Sequence, residues 1–206
     1  MEYCCPLWSP SNQHNIALLE GIQRAFTKHI SGFNNLSYWD RLRKLKLLSL
    51  ERRRERYTII YLWKCIHGFS HDPGLTISSI DREEGIRLAL PKLPKMSPSW
   101  ANKLKENSVL YRGVKVFNCL PSYLRKLDPG QNQQQCTPDS FKTKLDKYLS
   151  NIPDEPTTPG QQRRAASNSI LHQSQFPITT PWQAGNWDYS RSLQPVRDQR
   201  YCFEFL

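Results

Sequence analysis

The chain has 206 residues, a hydrophobic fraction of 38%, 15 prolines and a formal net charge of +11. Its length allows one domain of ordinary size, or one of about 150 residues with a tail, and the modest apolar content argues that part of it does not pack. No run of about 18 apolar residues is present to cross a membrane, and six cysteines without a Cys-x-x-Cys pair argue against a disulfide framework.

Charge divides the chain. Residues 1–152 carry 24 Lys and Arg against 13 Asp and Glu, whereas residues 153–206 carry five of each. A surface with that excess favours a polyanion, and RNA or DNA is expected in preference to an anionic membrane face. The N-terminus lacks a charged start followed by an apolar run, so no signal peptide is expected. The expectation is an intracellular protein, nuclear or cytoplasmic, with free thiols.

Taken in chain order, Cys4 and Cys5 with Tyr3, Pro6, Leu7 and Trp8 suggest a buried apolar strand or turn. Ser9 is placed to cap a helix that opens on Pro10. Ile16, Leu19, Ile22, Phe26 and Ile30 then recur at helical spacing, which predicts a buried stripe with Arg24 and Lys28 on the opposite face and Gly32 as the stop. Ser37-Tyr38-Trp39-Asp40 has the form of a capping box for a short helix through Leu42 and Leu45. Ser49 is set to cap another, which runs without Gly or Pro from Leu50 to His67. Three helices joined by short loops predict a hairpin or small bundle.

Prolines at 73, 91, 94 and 98 limit helices in the middle, where Ile86 to Leu90 is the best short strand. Residues 107–119 suggest an amphipathic helix with Val109, Leu110, Val114 and Phe117 inward, followed by a helical turn at Ser122 to Lys126. Thr137 or Asp139 caps a last helix, Ser140 to Leu149, with Phe141, Leu145, Tyr148 and Leu149 on one face. From Pro153 on, six prolines and the absence of periodicity predict disorder. Phe176, Trp182, Trp187, Tyr189, Tyr201, Phe203 and Phe205 stand out there as docking anchors or as a non-native extension of the reading frame. The expected architecture is therefore mainly α: a basic helical module over 1–152 with a short irregular or β-containing middle segment, then a disordered tail over 153–206.

The strongest local signal is Glu51-Arg52-Arg53-Arg54-Glu55-Arg56. On a helix Arg52, Arg53 and Arg56 project from neighbouring positions, able to span adjacent phosphates, and Arg41, Arg43, Lys44 and Lys46 extend the basic stretch upstream. A solvated face of Arg–Glu pairs is the competing reading. Aromatics beside arginine stack on unpaired bases, and Trp39 is the best stacking candidate, since Tyr57 and Trp63 fall in the apolar part of their helix. Cys65, His67 and His71 form a Cys-x-His-x3-His pattern, but a structural zinc site needs four ligands and Gly68 breaks the helix between them, so neither metal nor cofactor is expected. Sequence patterns for phosphate loops, dinucleotide turns, nucleophile elbows and zinc proteases are all missing. Glu83 and Glu84 are the only adjacent acids of the basic module and make a poor two-metal site. No catalytic residue is assigned.

Read together, several segments resemble the region downstream of the thumb in reverse transcriptases of non-LTR retrotransposons, the LINE class, most like jockey-type elements. Met1-Glu2-Tyr3 through Trp8-Ser9-Pro10 is similar to the family's "LEYxxxxWSP", and Leu19-Glu20-Gly21-Ile22-Gln23-Arg24 to its "LExVQR". Leu36-Ser37-Tyr38 with Arg41, Leu42 and Leu45 through Arg53 resembles "LSYxxRLxxLxLxSLExRR". Tyr111-Arg112-Gly113 to Leu120-Pro121 resembles "RGxxxWNxLP", with Phe117 in place of Trp, and Ser140-Phe141-Lys142 with Leu145-Asp146 resembles "SFKxxLD". The series keeps its order and spacing over residues 1–150.

The family's catalytic carboxylates belong to an upstream palm, and this chain has no Asp-Asp pair. The resemblance therefore implies a non-catalytic fragment of an RNA-directed DNA polymerase, beginning inside an element, and the basic stretch supplies its expected contacts with RNA or DNA: Arg41, Arg43, Lys44, Arg52, Arg53 and Arg56, with Trp39. Its further partner would be the missing palm and thumb. Two other readings stay open: an orphan structural remnant with no activity of its own, and an interaction module that uses the tail aromatics.

Overall fold

A computed structural model describes residues 4–71, 74–81, 87–95, 102–127, 137–156 and 168–173. The chain is mainly helical, built around one long central helix, with a single hairpin among the described residues. Residues 174–206, with all seven tail aromatics, and the Glu83–Glu84 pair lie outside the described residues.

The N-terminal stretch is split in two, α1 (Cys5–Trp8) and α2 (Gln13–Lys28). Ser9 and Pro10 do not open a helix as the sequence suggested. Their carbonyls both accept from Arg112, at 3.0 and 3.1 Å, and the Ser9 hydroxyl accepts from it at 3.1 Å; α2 is capped instead by Asn12, whose side chain accepts from the His14 N–H at 2.9 Å. Where a buried strand or turn was expected at Cys4–Cys5, Cys4 lies exposed in a turn and Cys5, fully buried, begins this short helix.

Helix α3 (Tyr38–Lys44) begins where Ser37 predicted, with the Asp40 N–H donating to Ser37 Oγ at 3.2 Å. Helix α4 (Leu50–Ile66) is capped by Ser49, which accepts from the Arg52 N–H at 3.1 Å. It stops at Gly68, whose φ of +75° suits a residue without Cβ.

Strand β2 (Arg87–Pro91) matches the expected short strand and pairs antiparallel with β1 (Ile77–Asp81), which the sequence had not suggested. The Ala89 N–H also donates to the Arg125 carbonyl at 2.7 Å, so the hairpin is anchored to the segment around residue 125. The single helix expected over 107–119 is two pieces, a π-helical turn (Val109–Gly113) that runs into α6 (Val114–Asn118), and a further helix, α5 (Asn102–Asn107), comes before it. Gly113 lets this segment lie close against α4, because a Cβ on it would stand 2.9 Å from Thr58 and 3.0 Å from Leu62. A 3₁₀ turn (Ser122–Leu124) leads on to α7 (Pro138–Ser150), capped by Thr137 and burying Phe141, Leu145, Tyr148 and Leu149 as its spacing predicted.

The apolar core sits around the C-terminal half of α4. Ile59, Leu62 and Trp63 pack with Val116 and Phe117 of α6 and with Phe141, Leu145 and Leu149 of α7. The Trp63 and Phe141 rings stack at 4.6 Å between centroids. Packing continues past residue 152, where the sequence placed the end of the module. Asn168 is buried, and Ile170, the first residue of α8 (Ile170–Gln173), is fully buried in the core.

Candidate nucleic-acid interface

Helix α2 is rotated about its axis relative to its hydrophobic pattern. Ile16 is buried and Leu19 and Ile30 are half-buried, but the other fully buried positions are Glu20, Gln23 and Thr27. Ile22 is 52% exposed and Phe26 73% exposed, with Leu18 beside them at 52%. The reason is specific partnering. Glu20 accepts from the Tyr38 hydroxyl at 2.6 Å and from the Leu50 N–H at 3.0 Å, and Gln23 Nε2 donates to the Leu48 carbonyl at 3.1 Å. Thr27 Oγ1 accepts from Arg41 at 3.2 Å. A polar side chain with a good interior partner loses little on burial, so these residues compete successfully for the inward face.

The predicted phosphate contacts divide into those turned inward and those left outside. Arg41 is buried and donates to the Leu36 carbonyl at 2.7 Å and to the Arg24 carbonyl at 3.2 Å. Arg52 is fully buried; its guanidinium donates to the carbonyls of Pro153 and Asn168, at 3.0 and 2.9 Å. Arg56 forms a two-point ion pair with Asp146 of α7. Arg54 is buried, with its guanidinium 5.3 Å from the centre of the Trp8 ring. These arginines hold the protein together, and Arg41 and Arg52 are out of reach of a phosphate.

Among the sequence-selected cations Arg43 and Lys44 are exposed, and Arg53, like the paired Arg56, is half-buried. Arg43 pairs with Asp40 on its own helix, and Lys44 lies 5.0 Å from the centre of the Phe33 ring. Trp39 is half-buried. Beyond these, Arg24 and Lys28 are exposed one turn apart on α2, and Lys46 is exposed just after α3 with a left-handed φ of 53°. α3 packs on α2, and these two helices with the turn after α3 carry exposed Arg24, Lys28, Arg43, Lys44 and Lys46. The sequence had placed Arg24 and Lys28 on a basic face without counting them as contacts.

A second polar network runs along the inner N-terminal half of α4. Asp154 accepts from both the N–H and the hydroxyl of Ser49, each at 2.7 Å, and from Asn168 Nδ2 at 2.7 Å. Glu55 accepts from the Ser169 hydroxyl and, at 3.0 Å, from the Ile170 N–H. Burial pushes the carboxyls of Glu20 and Glu55 above the ordinary range, opposed at Glu20 by the Tyr38 hydrogen bond and at Glu55 by the Arg52 charge. The Tyr38 hydroxyl is held neutral by the same burial and by Glu20.

The Cys-x-His-x3-His pattern does not converge. The Cys65 thiol donates to the backbone carbonyl of His71 at 3.2 Å, and the His67 ring lies 4.3 Å from that of Trp63. Among the described residues no group of three or more His, Cys, Asp and Glu side chains is placed to hold a metal ion.

The segments that carried the family resemblance meet one another as internal joints. Arg112 of the Tyr111-Arg112-Gly113 segment binds the Ser9-Pro10 segment, and Glu20 joins Tyr38 to the start of α4. Asp146 of the last segment pairs with Arg56. Comparison of the chain with protein-family models, with curated proteins and with solved structures returned no match.

Proposed function

We propose that this chain is a non-catalytic, nucleic-acid-binding helical module, related to the region behind the thumb of a non-LTR retrotransposon reverse transcriptase. The observation that carries the binding is the exposure of Arg24, Lys28, Arg43, Lys44 and Lys46 on the packed helices α2 and α3 and the turn that follows α3. The relationship is supported by the ordered motif series, whose residues stand at the contacts between elements. In a full-length polymerase the module would help to hold template or target, while a palm elsewhere supplied the chemistry.

Moving Arg41 and Arg52 from surface to interior shrinks the expected footprint. Engagement of about four phosphates gives a log–log salt slope of roughly −3 to −4, and Lys28→Ala with Lys44→Ala should lower that slope by about 1–2 and weaken binding to all sequences alike. Affinity for single-stranded RNA or DNA that is the same at low and moderate salt would refute the reading. The alternative, a structural remnant without a ligand, draws on the exposed stripe of α2.

A further inference from the structure

The nucleic-acid reading rests on exposed cations and leaves the buried polar groups at the start of α4 without a role. Ser49, Arg52 and Glu55 follow one another at every third position and are all buried. They line one wall of a slot whose other wall is Asp154 and Glu155, and Asp154 ties the two walls together by accepting from the Ser49 N–H and hydroxyl, each at 2.7 Å. The slot is filled by Asn168-Ser169-Ile170, which begins thirteen positions along the chain from Glu155.

The filling segment is held by its main chain and selected by its side chains. Arg52 donates to the Asn168 carbonyl at 2.9 Å, and two residues on Glu55 accepts from the Ile170 N–H at 3.0 Å and from the Ser169 hydroxyl. Both ends of the Asn168 amide are engaged: Nδ2 donates to Asp154 at 2.7 Å and to Ser49 Oγ at 3.2 Å, while Oδ1 accepts from the Glu155 N–H at 2.9 Å. An aspartate at this position would set its carboxylate against that of Asp154, and an alanine would take away the acceptor of the Glu155 N–H. The Ile170 side chain is fully buried in the apolar core. Burial of an isoleucine does not by itself call for an asparagine two positions earlier with its donors and acceptor each matched. Main-chain hydrogen bonds that hold, combined with pockets that discriminate between side chains, are the means by which proteins recognise linear peptides.

We propose that this slot is a recognition site for a linear Asn-Ser-aliphatic peptide, filled in cis by Asn168-Ser169-Ile170 and open to the same tripeptide of a partner protein when that segment is displaced. Asp154 and the Glu155 N–H select the asparagine, Arg52 and Glu55 grip the main chain, and the core takes the aliphatic side chain.

The test uses the full chain carrying Asn168→Asp, which weakens the built-in ligand and keeps the residues of the slot, together with a synthetic peptide of residues 166–173. The variant should melt below the parent, and the peptide should raise its melting temperature saturably. Twins of the peptide with Asp in place of Asn168 or Ser in place of Ile170 should bind at least about tenfold more weakly. The parent should also take up labelled peptide at least about tenfold more weakly than the variant, because its own segment competes at an effective concentration on the order of millimolar. Should the variant not hold its fold, the parent with a specific protease site inserted between residues 160 and 166 replaces it: after cleavage the tail fragment should stay bound in gel filtration and exchange for excess peptide but not for the Asp twin. The proposal is overturned if the peptide neither shifts the variant's melting nor displaces the fragment, or if the Asp twin binds as tightly as the asparagine peptide. Sedimentation of the parent as a dimer that Asn168→Asp dissolves would assign the slot to the tail of a second copy and overturn it as well.

Discussion

The two halves of α4 are buried to a similar degree by different means. Its C-terminal half buries Ile59, Leu62 and Trp63 against α6 and α7, an arrangement driven by removal of apolar surface from water. Its N-terminal half buries Glu51, Arg52, Arg54 and Glu55. Charges tolerate that environment only when hydrogen bonds and opposite charges replace their hydration, and for Arg52 and Glu55 the replacements come from Pro153, Asn168, Ser169 and Ile170. The lesson is that a dense run of arginine on a helix can be a packing element as well as a ligand contact, depending on which carbonyls the fold delivers to it.

The sharpest way to break this comparison is Arg52→Ala, which leaves Glu55 buried without the positive charge that most favours its carboxylate. A loss of about 3–5 kcal/mol is expected in urea unfolding, far above the value for a solvated arginine; a loss within about 0.5 kcal/mol would place Arg52 at the surface. Glu20→Ala orphans the Tyr38 hydroxyl and the Leu50 N–H together and should cost about 2–4 kcal/mol. In the apolar half, Gly113→Ala forces a methyl group against Thr58 and Leu62 and should cost about 1–3 kcal/mol by overpacking.

A smaller effect comes from the two raised carboxyls. Because Glu20 and Glu55 titrate higher in the folded chain than the ordinary 4.5, the folded state holds protons that the unfolded state has lost. Their favourable contribution is therefore complete below 4.5 and is lost as pH rises through their folded values. Stability measured from neutral pH down toward 4.5 should rise on their account, and Glu20→Gln should flatten the rise. Smallest of all is Asp146→Ala, since the Arg56–Asp146 pair is partly open to solvent and should yield less than about 1 kcal/mol in a double-mutant cycle.

What could be read from the sequence was what local chemistry determines. Ser37, Ser49 and Thr137 each cap the helix that comes after them, because a hydroxyl and the N–H three residues on are neighbours in any fold. The apolar face of α7 was legible for a similar reason: Phe141, Leu145, Tyr148 and Leu149 have no polar competitor on their side. Helix α2 was misread because hydrophobic spacing says which residues share a face and not which face wins. Glu20 and Gln23 turn inward for partners at positions 38, 48 and 50, and no local pattern announces them. The same limit applies to Arg41 and Arg52, whose positive charge was visible while the carbonyls that claim it were not.

The clasp of Asp154 and Asn168 over Ser49 also sets an order of events for folding. Its bonds join residues 105 and 119 positions apart in the chain, and closing such long loops is slow compared with forming a helical turn. On a ribosome, α4 must emerge and then wait for more than a hundred further residues before its charged half is satisfied. A chain cut at residue 152 never reaches that point, so shortened versions should stall as partly ordered species with Arg52 and Glu55 still seeking water.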